Sequence, residues 1–160
     1  MTNLQSDFET TVGDGYKRLS SIPEEKAACR PGPGKWSAKE IVGHLIDSAC
    51  NNHRRFVIAQ TKDDLIFDGY DQERWVRVQD YQSRPWPELV LLWAAYNRQL
   101  VHLVSCIPPE VLTKPRARHS LDQIAWKKVP ADTPTTLEYL IRDYLGHMQM
   151  HLEQIRQQTT

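Results

Sequence analysis

No stretch of this 160-residue chain approaches the roughly 18 uninterrupted apolar residues of a membrane span, which excludes a transmembrane helix. Nor does either charge dominate: 20 basic side chains balance 20 acidic ones, so the electrostatic footprint of a nucleic-acid binder or a peripheral membrane protein is missing. Cysteine is scarce. Cys29, Cys50 and Cys106 form an odd, scattered set without C-x-x-C spacing, the pattern of reduced thiols, and Cys50 and Cys106 read as small buried hydrophobes. The first residues, Met1 to Glu9, carry neither a basic leader nor an apolar run. Strand patterns, internal repeats and low-complexity tracts are also lacking. The expectation is one cytoplasmic domain over residues 1–160, large enough to bury a core without disulfides.

What the chain does have is helical periodicity in four places. The first pattern runs from about Leu4 to Leu19, with Phe8 and Val12 on its apolar side, and stops before Ser20-Ser21-Ile22-Pro23. A second opens at Ser37, which with Glu40 forms an S-x-x-E capping box, and continues to about Ala59 with Ile41, Leu45, Ser48, Asn52 and Phe56 on one face. A third follows Trp86-Pro87-Glu88 and ends before Pro108, its apolar face comprising Leu89, Leu92, Trp93, Tyr96, Leu100 and Leu103. The last begins near Thr135, where Thr-Thr-Leu-Glu repeats the capping pattern, and reaches about Gln157. Four such helices predict an all-α fold, a four-helix bundle. Two links, about 60–84 and 108–134, exceed the usual 2 to 8 residues and serve as long crossover connections.

Within the last helix lies the most informative feature, His147-Met148-Gln149-Met150-His151. Four-residue spacing points both imidazoles the same way. Six histidines in 160 positions would place such a pair by chance in about one sequence in five, so the pair needs support. Both rings fall within the stripe of Leu137, Leu140, Ile141, Tyr144, Met148, Leu152 and Ile155, where an unpartnered polar ring costs about 1 to 3 kcal/mol. Either a metal holds them or neighbouring side chains satisfy them, and a third ligand decides. His44, beside Leu45 on the second helix, is the candidate. Three protein nitrogens between facing helices would leave one coordination position open, the hallmark of a catalytic rather than a structural zinc-type site.

The segment Trp36-Ser37-Ala38-Lys39-Glu40-Ile41-Val42-Gly43-His44-Leu45-Ile46-Asp47-Ser48, followed much later by His147-x-x-x-His151, resembles the W-S-x-x-E-I-x-x-H-L-x-D-S segment and closing helix of the DinB-like superfamily, including its YfiT-type metal-dependent hydrolases. The resemblance covers nearly the whole chain. It implies a four-helix bundle with a divalent ion, Zn²⁺ or Ni²⁺, on His44, His147 and His151. It implies less about chemistry, because the family includes hydrolases, transferases that use low-molecular-weight thiols, and proteins without assigned activity.

Met148 stands where a metalloprotease H-E-x-x-H motif carries its general base, so a zincin mechanism is not supported. Asp143, four residues before His147, and Asp47, three after His44, are the candidates for orienting a ligand or accepting a proton; Glu40 is better explained by capping. In Lys114-Pro115-Arg116-Ala117-Arg118-His119, Arg116 and Arg118 are candidates to grip a carboxylate or phosphate, against the alternative of a solvated basic loop. The tryptophans at 36, 75, 86, 93 and 126 are packing anchors or line a pocket mouth, and His53, His102 and His119 fall outside the triad's pattern.

Three functions fit. The first is a hydrolase in which water activated by the ion attacks a carbonyl-type bond of a small substrate. In the second, a thiol transferase, the ion lowers the pKa of a low-molecular-weight thiol, with Arg116 and Arg118 holding its carboxylates. The third is a non-enzymatic metal-binding bundle, with a homodimer formed through a helix face.

Overall fold

The computed structural model describes residues 3–160. Four long helices carry the fold, at Asn3–Ser20 (α1), Ala38–Ala59 (α3), Trp86–Ser105 (α5) and Leu137–Thr159 (α8). Short helices punctuate the links: Glu24–Ala28 (α2), Gln72–Gln79 (α4), Pro109–Leu112 (α6) and Leu121–Ile124 (α7). The sequence periodicity located the four long helices; the short ones fall inside segments expected to be irregular. For α4 a signal was present, since Asp71 caps it by accepting the Arg74 amide at 3.0 Å.

Packing contacts run from α1 to α5, α5 to α3, α3 to α8 and α8 back to α1. The link between α3 and α5 therefore joins neighbours, whereas those from α1 to α3 and from α5 to α8 cross the bundle. Phe8, Phe56, Trp93, Leu100, Leu137 and Ile155 fill the interior and are essentially inaccessible. One expected core position fails: Leu92 is 43% exposed, because Leu89, Trp93 and Leu100 already define the inward face of α5. Its place in the interior goes to Asn97, whose Oδ1 accepts the Tyr144 hydroxyl at 2.6 Å across the core. Cys50 and Cys106 are also not buried; all three thiols are exposed and unpaired.

Helix starts explain how the chain sets its register. At α3 the capping box closes: Ser37 Oγ accepts the Glu40 amide at 3.2 Å, and Glu40 Oε2 accepts the Ser37 amide at 2.9 Å. At α8 the start lies one residue later than expected. Thr136, not Thr135, is the cap, accepting the Tyr139 amide at 3.1 Å. Thr135 is occupied elsewhere, pairing its backbone with Arg116 in an isolated antiparallel bridge. A second, parallel bridge, Leu65 to His119, binds the two long links to one another.

Gly43 marks a close approach. Tyr81 lies flat against α3 there, so a Cβ on residue 43 would sit 2.1 Å from its ring. The ring is buried and its hydroxyl is tied to Asp47, so it has no free path to retreat. Gly43→Ala is expected to cost about 1–3 kcal/mol, the usual range for overpacking, as a fall in the urea midpoint at constant slope. An unchanged midpoint would contradict this packing.

Candidate metal centre

His44 is fully buried on α3, and His147 and His151 are half-buried on α8. The structure brings the three together. His147 Nε2 lies 3.4 Å from His44 Nε2 and 3.1 Å from His151 Nε2, and all three nitrogens fall within 4.8 Å of one another. The rings stand nearly perpendicular, at 74° to 89°, so their edges rather than their faces converge.

Three converging ring nitrogens cannot satisfy one another by hydrogen bonding. His151 Nδ1 meets Gln154 Oε1 at 2.9 Å; since that oxygen only accepts, the proton sits on Nδ1 and a lone pair is left on Nε2. His147 Nε2 can then serve only one of its two neighbours. A cation resolves the conflict by accepting all three lone pairs. With metal–nitrogen distances of about 2.0–2.1 Å, tetrahedral ligands stand roughly 3.3 Å apart, close to the two separations observed. The residues fit a divalent ion.

Burial also prepares the ligands. Desolvation, with the neighbouring imidazoles adding to it, pulls the pKa of His44 down to about 3 and that of His147 to about 4. His151 is lowered by burial, opposed by Gln154. All three are thus neutral near pH 7, the form that binds metal. Trp36 supports the cluster, its ring centroid 5.3 Å from that of His44, which gives the residue before the helix cap a physical role.

The proton-accepting candidates fare differently. Asp47 does not line the adjoining cavity: its Oδ1 accepts Tyr81 Oη at 2.6 Å and Gln79 Nε2 at 2.8 Å. Among the described residues, its buried Oδ2 and the buried Nδ1 of His44 both lack a partner. Asp143 does line the cavity beside His147, but bonds no ring nitrogen; its oxygens accept the amides of Trp126 at 2.8 Å and Lys127 at 2.7 Å. Burial pushes its pKa up against the pull of those amides.

The cavity, about 270 Å³, lies between α3, α8 and the segment around α7, with Trp126, Ile124 and Leu140 among its apolar walls. Neither arginine proposed from the sequence reaches it. Arg116 is neither a ligand grip nor solvated: it is buried and donates to the carbonyls of Ala59, Val111 and Lys114, tying the link to the end of α3. Arg118 is exposed, away from the cavity walls. His119 accepts the Leu121 amide and donates to Thr133 O, a scaffold role, and Trp86 and Trp93 are core anchors. The cation that the cavity does hold, Arg55, carries no local sequence signal; Asn52 and Arg55 simply continue the inward stripe of α3.

The DinB superfamily model matches residues 8–155. The chain belongs to the DinB superfamily. A Bacillus cereus (strain AH820) protein named "Putative metal-dependent hydrolase" is 30% identical over 108 residues, 68% of this chain and 62% of that one. A Bacillus mycoides (strain KBAB4) protein with the same descriptive name is 28% identical over 78 residues, 49% of this chain and 45% of that one. The chain thus spans less than two thirds of the length of these DinB relatives. Among solved structures it resembles YfiT from Bacillus subtilis, described as a probable metal-dependent hydrolase with an unusual four-helix bundle topology. The TM-score is 0.77 at 17% identity, covering 97% of this chain and 83% of that one, which establishes the shared bundle fold.

Depressed imidazole pKa values have a consequence for stability. An unfolded chain takes up these protons near pH 6.5, whereas the folded, metal-free protein waits until about 4 for His147 and about 3 for His44. Between those limits the unfolded state binds more protons, so stability falls as pH drops. The urea midpoint of metal-free protein is expected to decline steadily from about pH 6.5 to about pH 4.5, ahead of carboxylate titration; a flat profile over that range would contradict it.

Proposed function

We propose that this chain is a metal-dependent hydrolase of small molecules, in which His44, His147 and His151 hold a divalent ion, zinc or nickel, and substrate occupies the adjoining cavity. The observation that carries this reading is the convergence of three neutral ring nitrogens beside a cavity whose wall includes one of them, His147. Held by these three imidazoles, a divalent ion would polarise a carbonyl-type oxygen and ease the loss of a proton from water.

The protein's own groups then have separable tasks. Gln154 fixes the tautomer of His151, and the packing of Trp36 against His44 keeps that ring in place on the buried side of the cluster. Trp126, Ile124 and Leu140 offer apolar contact to a bound substrate on an otherwise largely polar lining. Asp143, the carboxylate on the cavity wall, is the proton-accepting group: each of its oxygens keeps a lone pair beyond its amide bond. The thiol-transferase alternative loses the support it drew from Arg116, whose guanidinium is spent on backbone carbonyls. Three exposed, unpaired thiols support a reducing, cytoplasmic setting, and among the described residues no helix is long and apolar enough to cross a membrane.

Protein purified without nickel exposure is expected to carry one divalent ion per chain by elemental analysis, and His44→Ala, His147→Ala and His151→Ala each to lose most of it. Cleavage of a 4-nitrophenyl ester should follow metal content and need no added thiol. Metal-free wild type that binds no added zinc or nickel would end the reading, and activity that appears only with a thiol would replace hydrolysis by transfer. Asp143→Asn should keep the metal yet lower kcat by about 100-fold or more, the usual size of a lost acid–base contribution. Unchanged kcat would remove Asp143 from the proton transfer.

A further inference from the structure

The cavity wall holds one cation that the histidine cluster does not explain. Arg55 is 7% exposed, and a buried guanidinium is tolerated only where acceptors surround it. Its protein acceptors are few. Nη2 donates to the Asp68 carbonyl at 2.7 Å and Nη1 to Asn52 Oδ1 at 3.5 Å, so among the described residues three of its five N–H donors have no partner. Among the described residues no carboxylate forms an ion pair with it; the cavity-lining Tyr70 and, less strongly, the exposed Asp68 act on it only through space, against the cost of its burial. Arg116 differs in place: its Nε also lacks a partner, but its Nη1 and Nη2 donate to three carbonyls and it does not line this cavity. Arg55 instead lines the cavity with donors to spare.

Position relates this cation to the candidate metal centre. Arg55 follows His44 by 11 residues, three helical turns, which returns it to within about 20° of the same direction roughly 16 Å along α3. Ser48 and Asn52 line the cavity between them, and on α8 the wall runs from His147 back to Leu140. His147 and the guanidinium therefore stand towards opposite ends of one cavity.

We infer that the cavity takes a small carboxylic acid derivative, its carboxylate paired with Arg55 and its cleavable bond held at the His147 end. A carboxylate suits the site better than a phosphate. Arg55 supplies the cavity's one positive charge, Asp143 adds a negative one to the same wall, and a planar guanidinium fork matches a planar monoanion. Only the placement of the cleavable bond rests on the hydrolase reading; the carboxylate contact needs no metal.

Metal-free protein separates the two. By calorimetry and by the Arg Nε–H resonances in NMR spectra, butyrate is expected to bind and to shift the Arg55 signal, with butyramide and inorganic phosphate about tenfold weaker or more. Arg55→Met should weaken butyrate binding by about tenfold or more, and Arg55→Lys by less. Butyramide binding as well as butyrate, or an Arg55 signal unmoved by saturating butyrate in the wild type, would overturn the inference without reliance on any variant's folding. Phosphate binding more tightly than butyrate would overturn the choice of carboxylate. If butyrate binds as expected while the protein takes up no zinc or nickel, the hydrolase reading falls and the carboxylate site stands.

Discussion

Three ring nitrogens brought within 4.8 Å of one another inside an apolar seam form the constraint on which the remaining features depend. The cluster spans α3 and α8, so both helices must keep their axial register. That register begins at the helix starts, where Ser37 and Glu40 fix the first turn of α3 and Thr136 that of α8. Burial keeps the imidazoles neutral, and at the fully buried His44 it also removes water as an alternative partner. The same burial that makes the cluster costly without an ion keeps its nitrogens in the form that can hold one.

The long links are part of this arrangement rather than slack between helices. Arg116 binds the carbonyl at the end of α3, His119 and Ser120 fasten the 106–136 link to itself and to Phe67, and backbone bridges join both links to each other and to the approach of α8. With the links held, α7 and Trp126 are carried over α8, where the Asp143 carboxylate receives two amides and the cavity acquires its outer wall. Buried polar groups here shape the site by fixing loops, and one of them, Arg55, is left with donors to spare.

Features that depend on local geometry were readable in the amino-acid sequence. Four-residue spacing aligned His147 with His151, the box of Ser37 and Glu40 announced α3, and the apolar stripe of α8 is buried at Leu137, Leu140, Ile141, Tyr144, Met148, Leu152 and Ile155. What failed was decided by contacts distant in sequence. Thr135 looked like a cap until its backbone was claimed by Arg116; Arg116 looked like a ligand grip until the carbonyl of Ala59 claimed its guanidinium. Asp47, one turn from His44, is drawn aside by Tyr81, and that contact exists only because Gly43 lets the ring approach. Leu92, expected inside, is turned out, while Asn97, which carried no such signal, is buried on the face of α5 that Trp93 commits to the core.

The central claim is that the three histidines share one ion. X-ray absorption at the metal edge of protein loaded with one equivalent of zinc tests it directly. Expected is a first shell containing three imidazole nitrogens at about 2.0–2.1 Å, with one further light ligand, and a shell reduced by one imidazole in His44→Ala. A shell without imidazole scattering, or one unaltered by loss of His44, would contradict it.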